Sequence, residues 1–182
     1  TAFNERVDCA PDVAHRAVSL LEHNGAKWGD RVILFLENSA VFRIMEHGIL
    51  SAGLVRVALS SRLHPREVAS IALDCSAAVI CCSPKHEKTL REALSEIRST
   101  TQVIVLSDSE DGVNPESLAA LPHSDLADWR RPKPTDTAML MYSSGTTGQP
   151  KGAIVRHSAW IAQTNNSLAQ LPAIGIGDVV LA

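Results

Sequence analysis

A mainly parallel β-sheet flanked by helices, in the α/β class, is the fold this sequence predicts, and three observations predict it. Short apolar runs (Arg31–Leu36, Leu54–Leu59, Ala77–Cys82, Gln102–Leu106) alternate with segments whose apolar residues recur at helical spacing. Alternation of this kind is met by parallel strands joined through right-handed crossovers. Val32-Ile33-Leu34-Phe35-Leu36 carries no polar residue, as a strand covered on both faces requires. With 182 residues, 45% of them hydrophobic and 20% charged, the chain is also long enough and apolar enough to bury one real core.

Taken in order, Phe3 and Val7 mark a predicted helix over Thr1–Cys9, which Pro11 interrupts or succeeds with a new start. Val13, Ala17, Leu20 and Leu21 place a helix from Asp12, and Asn24-Gly25 supplies its stop. Gly29-Asp30 turns into the first strand. Asn38 or Ser39 caps a helix with Val41, Ile44, Met45, Gly48 and Ala52 on one stripe and Gly53 at its end. Leu54–Leu59 is the second strand. His64-Pro65 opens the next helix, with Val68, Ile71, Ala72 and Cys75 facing inward. Ala77–Cys82 is the third strand. Ser83-Pro84 starts a helix that carries Leu90, Ala93, Leu94 and Ile97 inward and a Glu87–Arg91 pair outward.

After a fourth strand at Gln102–Leu106 the alternation lapses. Asp108–Gly112 is acidic and small, Glu116–Leu121 suggests a short helix, and Trp129–Pro134 reads as an extended connector. Trp129, beside two arginines, is expected to pin that connector to the surface rather than to stack on a base. Ala138–Tyr142 and Ala153–Val155 are further strands, and His157–Leu171 a helix. Gly175-Ile176-Gly177 lacks a third glycine and precedes a strand (Val179–Leu181), so it fails the dinucleotide pattern.

Between the two late strands lies Tyr-Ser-Ser-Gly-Thr-Thr-Gly-Gln-Pro-Lys-Gly, residues 142–152. Ser143, Ser144, Thr146 and Thr147 place four hydroxyls within five residues, punctuated by Gly145 and Gly148. Consecutive backbone N–H groups in such a turn form a concave nest for anions, and Lys151 adds a mobile cation suited to phosphate. It is not a Walker loop, which needs four residues between its glycines and a Lys-Ser/Thr pair opening a helix. Here two threonines separate the glycines, Pro150 biases Gln149 away from helical angles, and Ala153-Ile154-Val155 favours a strand. A solvated turn is the bland alternative; the length and specificity of the pattern favour a polyphosphate cradle joining two strands.

Composition narrows the classes further. With 17 Lys and Arg against 20 Asp and Glu, the formal net charge is −3, which favours neither nucleic acid nor an anionic membrane as partner. No apolar run reaches spanning length and the first residues carry no signal-peptide pattern, so a cytoplasmic location is expected. The cysteines (Cys9, Cys75, Cys81, Cys82) lack metal spacing and read as reduced core thiols, and the seven histidines form no HxH or HxxxH pair.

The 142–152 stretch resembles the phosphate-binding signature of the adenylate-forming (AMP-binding) superfamily, which includes acyl- and aryl-CoA synthetases, beetle luciferases and peptide-synthetase adenylation domains. Ser-Ser-Gly-Thr-Thr-Gly is closer to the acyl-CoA synthetase branch. Trp28–Val32 resembles the family's Pro-Gly-Asp-Arg-Val turn, Leu50–Leu59 its Lys-Ala-Gly-Ala…Val-Pro-Leu element, and Arg62–Glu67 the Arg-Leu-x-x-x-Glu segment. Ala58 stands where the family usually has proline, a departure at a strand end.

That resemblance implies ATP-dependent activation of a carboxylic acid as an acyl-adenylate, followed by transfer to a thiol, that of CoA or of a carrier protein, with Mg2+ assisting. Lys151 would be the catalytic cation on the β- and γ-phosphates. Ser143, Ser144, Thr147 and the Gly145 and Gly148 amides would cradle phosphate oxygens, Thr146 would contact Mg2+, and Gly152 would serve backbone geometry. His157 falls where relatives carry a histidine and is expected to be structural. Family members run to several hundred residues. The resemblance therefore implies that residues 1–182 are part of an N-terminal AMP-binding domain, one sheet subdomain plus the phosphate loop. The adenine and ribose contacts and the C-terminal domain would lie beyond Ala182. Such a piece is expected to be inactive alone, to expose apolar surface and to self-associate. A short, non-catalytic phosphate- or nucleotide-binding module is the expectation from a different class.

Overall fold

The computed structural model describes residues 10–107, 114, 117, 118, 120, 121, 131–143 and 150–170. Among them, six strands form one sheet in the order β4-β3-β1-β2-β5-β6. The strands are β1 (Arg31–Phe35), β2 (Val55–Ala58), β3 (Ala77–Cys82), β4 (Gln102–Val105), β5 (Thr137–Ser143) and β6 (Lys151–Arg156). The helices are α1 (Ala10–His23), α2 (Ala40–Ser51), α3 (Pro65–Asp74), α4 (Pro84–Glu96) and α5 (His157–Gln170). Every strand pairing is parallel except β5 with β6, which is antiparallel. The α/β class and mainly parallel sheet expected from the sequence are therefore present.

The central strands divide their side chains between two cores, because successive residues of a strand point to opposite faces. Val32 and Leu34 of β1, with Val79 and Cys81 of β3, pack against α1 and α2 through Ala17, Val18, Leu21, Val41, Met45 and Ile49. Ile33 and Phe35, with Ile80 and Cys82, pack against α3 and α4 through Val68, Ile71, Ala72, Leu90, Ala93 and Leu94. The adjacent cysteines therefore lie in different layers, both as buried free thiols. Burial, with the nearby Glu87, pushes the Cys82 thiol up to about 12 and the Cys81 thiol higher still. These are inert packing groups, as the sequence suggested.

Helix placement follows from strand order. The step from β1 to β2 runs one way across the sheet, and the step from β2 to β3 runs back over β1. Crossovers of one hand must then put α2 on one face and α3 and α4 on the other. The two clusters show that arrangement. On the α1–α2 face Leu118 is fully buried and the Arg16 guanidinium donates to the Leu121 carbonyl.

Local signals hold at most boundaries. Ser39 Oγ accepts from the Phe42 N–H at 3.1 Å and caps α2. His64 and Glu67 cap α3 reciprocally: His64 Nδ1 accepts from the Arg66 N–H at 3.2 Å, and Glu67 Oε2 from the His64 N–H at 2.9 Å. Gly48 brings α2 against α1, because a Cβ there would sit 2.8 Å from the Ala14 carbonyl oxygen. Two expectations are corrected. Ile97 is not inside: α4 ends at Glu96, the chain turns through Arg98 at φ +53°, and Ile97 is 38% exposed. Cys75 is only half-buried, at the C-cap of α3. The expected helix at Thr1–Cys9, the Trp129 contact and the Val179–Leu181 strand lie outside the described residues.

Candidate phosphate-binding site

Strand β5 leaves the core as it runs. Ala138 and Met139 are buried, Met141 is 57% exposed, and Ser143 ends the strand at the surface. Strand β6 returns beside it, with Ser143 opposite Lys151, Tyr142 opposite Gly152 and Met141 opposite Ala153. Ser143, the last residue of β5, and Lys151, the first of β6, are paired in register. The turn thus joins two strands and does not open a helix, as Pro150 and the apolar residues after it indicated. Ser144, Gly145, Thr146, Thr147 and Gly148 lie outside the described residues. Ser143, Lys151 and Gly152 stand at the base of the hairpin.

Ser143 and Lys151, as cross-strand partners, share one face of the hairpin. Both are exposed, and no ion pair among the described residues engages Lys151. On the opposite face the Tyr142 ring covers Gly152 so closely that a Cβ there would lie 2.9 Å from Tyr142 Cζ. Gly152 is therefore required by contact, not by a special backbone angle. The Tyr142 hydroxyl donates to Asp74 Oδ2 at 2.5 Å, joining the hairpin to the last residue of α3. Partial burial, then this bond to Asp74, holds the Tyr142 hydroxyl well above the usual phenol range. His157 opens α5 and donates its backbone N–H to the Asp136 carbonyl at 3.1 Å, in keeping with a structural role.

A second polar group sits on the same edge of the sheet, at the carboxyl ends of β1 and β3. The connections of those strands leave for opposite faces, which is where α/β sheets open a crevice. Glu37 accepts from Ser83 Oγ and pairs with Lys85. The Lys85 ammonium, then the Ser83 hydroxyl, hold the Glu37 carboxyl down at about 2. Neither this cluster nor the Tyr142–Asp74 contact was anticipated. Ser83-Pro84 read only as a helix start, and no local pattern ties position 74 to position 142. Among the described residues no three His, Cys, Asp or Glu side chains gather as a metal cage, and no helix is long and apolar enough to cross a membrane.

Comparison with known proteins fits this geometry. The sequence profile of the AMP-binding enzyme family matches residues 11–182. The chain is 31% identical over 159 residues to long chain acyl-CoA synthetase 6, peroxisomal, of Arabidopsis thaliana, covering 81% of this chain and 23% of that protein. It is 30% identical over 149 residues to the polyketide synthase-nonribosomal peptide synthetase ffsA of Aspergillus flavipes, covering 82% of this chain and 3% of that one. The fold superposes on ATP-bound MatB from Rhodopseudomonas palustris with a TM-score of 0.76 at 21% identity, covering 88% of this chain and 31% of MatB. The chain thus spans less than a third of the length of each of these relatives. With the profile matched over nearly all of its length, the chain belongs to the AMP-binding enzyme family.

Proposed function

We propose that the β5–β6 hairpin grips the polyphosphate of ATP and that the protein bearing it is an ATP-dependent acid–thiol ligase of the acyl-CoA synthetase type. The observation that carries this reading is the register placing Ser143 opposite an exposed Lys151 that no ion pair among the described residues engages. Attack by a carboxylate on the α-phosphorus of ATP brings two anions together and expels pyrophosphate, so charge neutralisation and positioning dominate such a step. A lysine about 4 Å from a phosphate oxygen is worth about 4 kcal/mol at an effective dielectric near 20. Lys151 supplies that charge to the β- and γ-phosphates. The hydroxyls of Ser143, Ser144 and Thr147 and the amides of Gly145 and Gly148 cradle the oxygens. With no carboxylate cage among the described residues, Thr146 would offer one oxygen to a Mg2+ ion carried mainly by the nucleotide.

In this reading residues 1–182 form one sheet subdomain and the phosphate loop of a larger N-terminal domain, with the acid pocket built elsewhere. The similarity to an acyl-CoA synthetase favours CoA as the thiol that displaces AMP. The similarity to a peptide synthetase favours a second reading, in which a carrier-protein thiol is the acceptor. ATP–pyrophosphate exchange by the whole protein across fatty, aryl and short-chain acids tests the first step, and adding CoA or a phosphopantetheinylated carrier separates the acceptors. Lys151→Ala should cut exchange by about two orders of magnitude or more; exchange unchanged by that substitution overturns the reading.

A further inference from the structure

Strand β5 joins the rest of the sheet through β2, pairing Met139 with Arg56. Among the described residues β6 pairs with β5 only, and α5 buries none of its residues. Besides the ladder, a side-chain contact bears on where the hairpin points.

The contact that does so reaches across 68 positions of sequence. Arg31, at the start of β1, donates from Nε to the Cys75 carbonyl and from Nη2 to the Ser76 carbonyl, each at 2.6 Å. That clamp fixes the turn between α3 and β3 and so presents Asp74, the last residue of α3. Asp74 in turn receives the Tyr142 hydroxyl at 2.5 Å, and the Tyr142 ring occupies the space a side chain at Gly152 would need. Tyr142 and Gly152 are the cross-strand neighbours of Ser143 and Lys151. A rotation of the tyrosine would shift the β6 backbone one residue from the lysine.

We propose that Tyr142 is a positioning residue: held by Asp74 and lying on Gly152, it ties the base of the hairpin to the packed body of the domain and so aims Lys151 at the phosphates. The idea rests on the ligase reading given above and adds two residues to it. Tyr142→Phe keeps the ring over Gly152 and removes only the hydroxyl; Asp74→Asn removes the charged acceptor.

The test is ATP–pyrophosphate exchange by the whole protein, with Lys151→Ala run alongside. Tyr142→Phe should raise the KM for ATP about fivefold, the size of one net hydrogen bond, while kcat changes less than twofold, and Asp74→Asn, whose amide oxygen still accepts, should raise it less. The double variant should be no worse than Tyr142→Phe alone, because that variant has already removed the bond. Backbone amides of Lys151–Arg156 should exchange hydrogen faster in Tyr142→Phe. An unchanged KM in Tyr142→Phe, or additive losses in the double variant, would overturn the latch while a damaged Lys151→Ala leaves the ligase reading standing. Exchange indifferent to Lys151→Ala would remove the ligase reading and the latch with it. If Asp74→Asn weakens α3 itself, the Tyr142→Phe result decides alone.

Discussion

The two sides of this sheet are built on different terms. From β4 through β2, strands are covered on both faces, and each of α2, α3 and α4 buries at least three side chains. From β5 outward the covering stops. Met141 and Ile154, which the register sets on opposite faces of the hairpin, are 57% and 68% exposed, and on α5 Ile161 and Leu168 are 55% and 58% exposed. Monomeric proteins rarely leave such a run of large apolar side chains in water. The packed side supplies rigidity; the bare side carries the hairpin and an unmatched surface. Burial is thus divided along the strand order, with Tyr142 and Asp74 at the seam.

The largest effect that could break this division is on stability. Phe35 is fully buried and stacks on His86 with ring centroids 4.3 Å apart. Phe35→Ala should cost about 3–5 kcal/mol through lost burial and the cavity left behind. Ile154→Ala, on the bare side, should change stability by less than about 0.5 kcal/mol. Urea unfolding of the two variants measures both. Comparable losses would show that the hairpin is as deeply built in as β1, and the contrast would fall.

Next in size is association. A chain of these 182 residues should self-associate through its bare side. Edge-to-edge growth is disfavoured, because centred antiparallel pairing of two β6 strands sets Lys151 against Arg156, and like charges directly opposed repel. Face-on contact through Ile154, Ile161 and Leu168 remains. Sedimentation velocity should show concentration-dependent oligomers that Ile154→Glu with Ile161→Glu shifts toward monomer. A monodisperse monomer at high concentration in the unmodified chain would mean that this surface is tolerated in water.

How much of this could be read in advance follows the same seam. Strands β1 and β3 announced themselves because burial on both faces writes an unbroken apolar run, and Ala77–Cys82 was delimited to the residue. The start of α2 was legible to within Asn38 or Ser39 and that of α3 at His64-Pro65, because start signals act over a few residues. The reciprocal His64–Glu67 cap was not read. Nor was strand order, since pairing energy depends on partners far apart in the chain. Ile97 was misplaced for a local reason: helical spacing continued on paper past a turn that Arg98 makes in the left-handed region. The helix α5 was expected, but a helix reading does not say what will lie against it, and here none of its residues is buried. The 142–152 stretch stood out by composition, while Asp74, which accepts from the Tyr142 hydroxyl at its base, carries no local mark at all.

The smallest effect sharpens the contrast from the packed side. Glu37 has its carboxyl depressed from the ordinary 4.5 to about 2, first by Lys85 and then by Ser83. A carboxyl depressed on folding contributes stability that is fully present above about 4.5 and is lost as the pH falls through about 2. Glu37 is 44% and Lys85 60% exposed, so solvent screens the pair and its worth is about 0–1 kcal/mol rather than the full value the shift would suggest. Lys85→Ala should therefore lower stability by that small amount at pH 7 and flatten the acid limb of the stability profile between pH 4.5 and 2. The mutant and parent curves should converge once Glu37 is protonated, because the pair then no longer exists in either. Curves that stay parallel to the lowest pH would assign the loss to Lys85 packing at the start of α4 instead of to its charge.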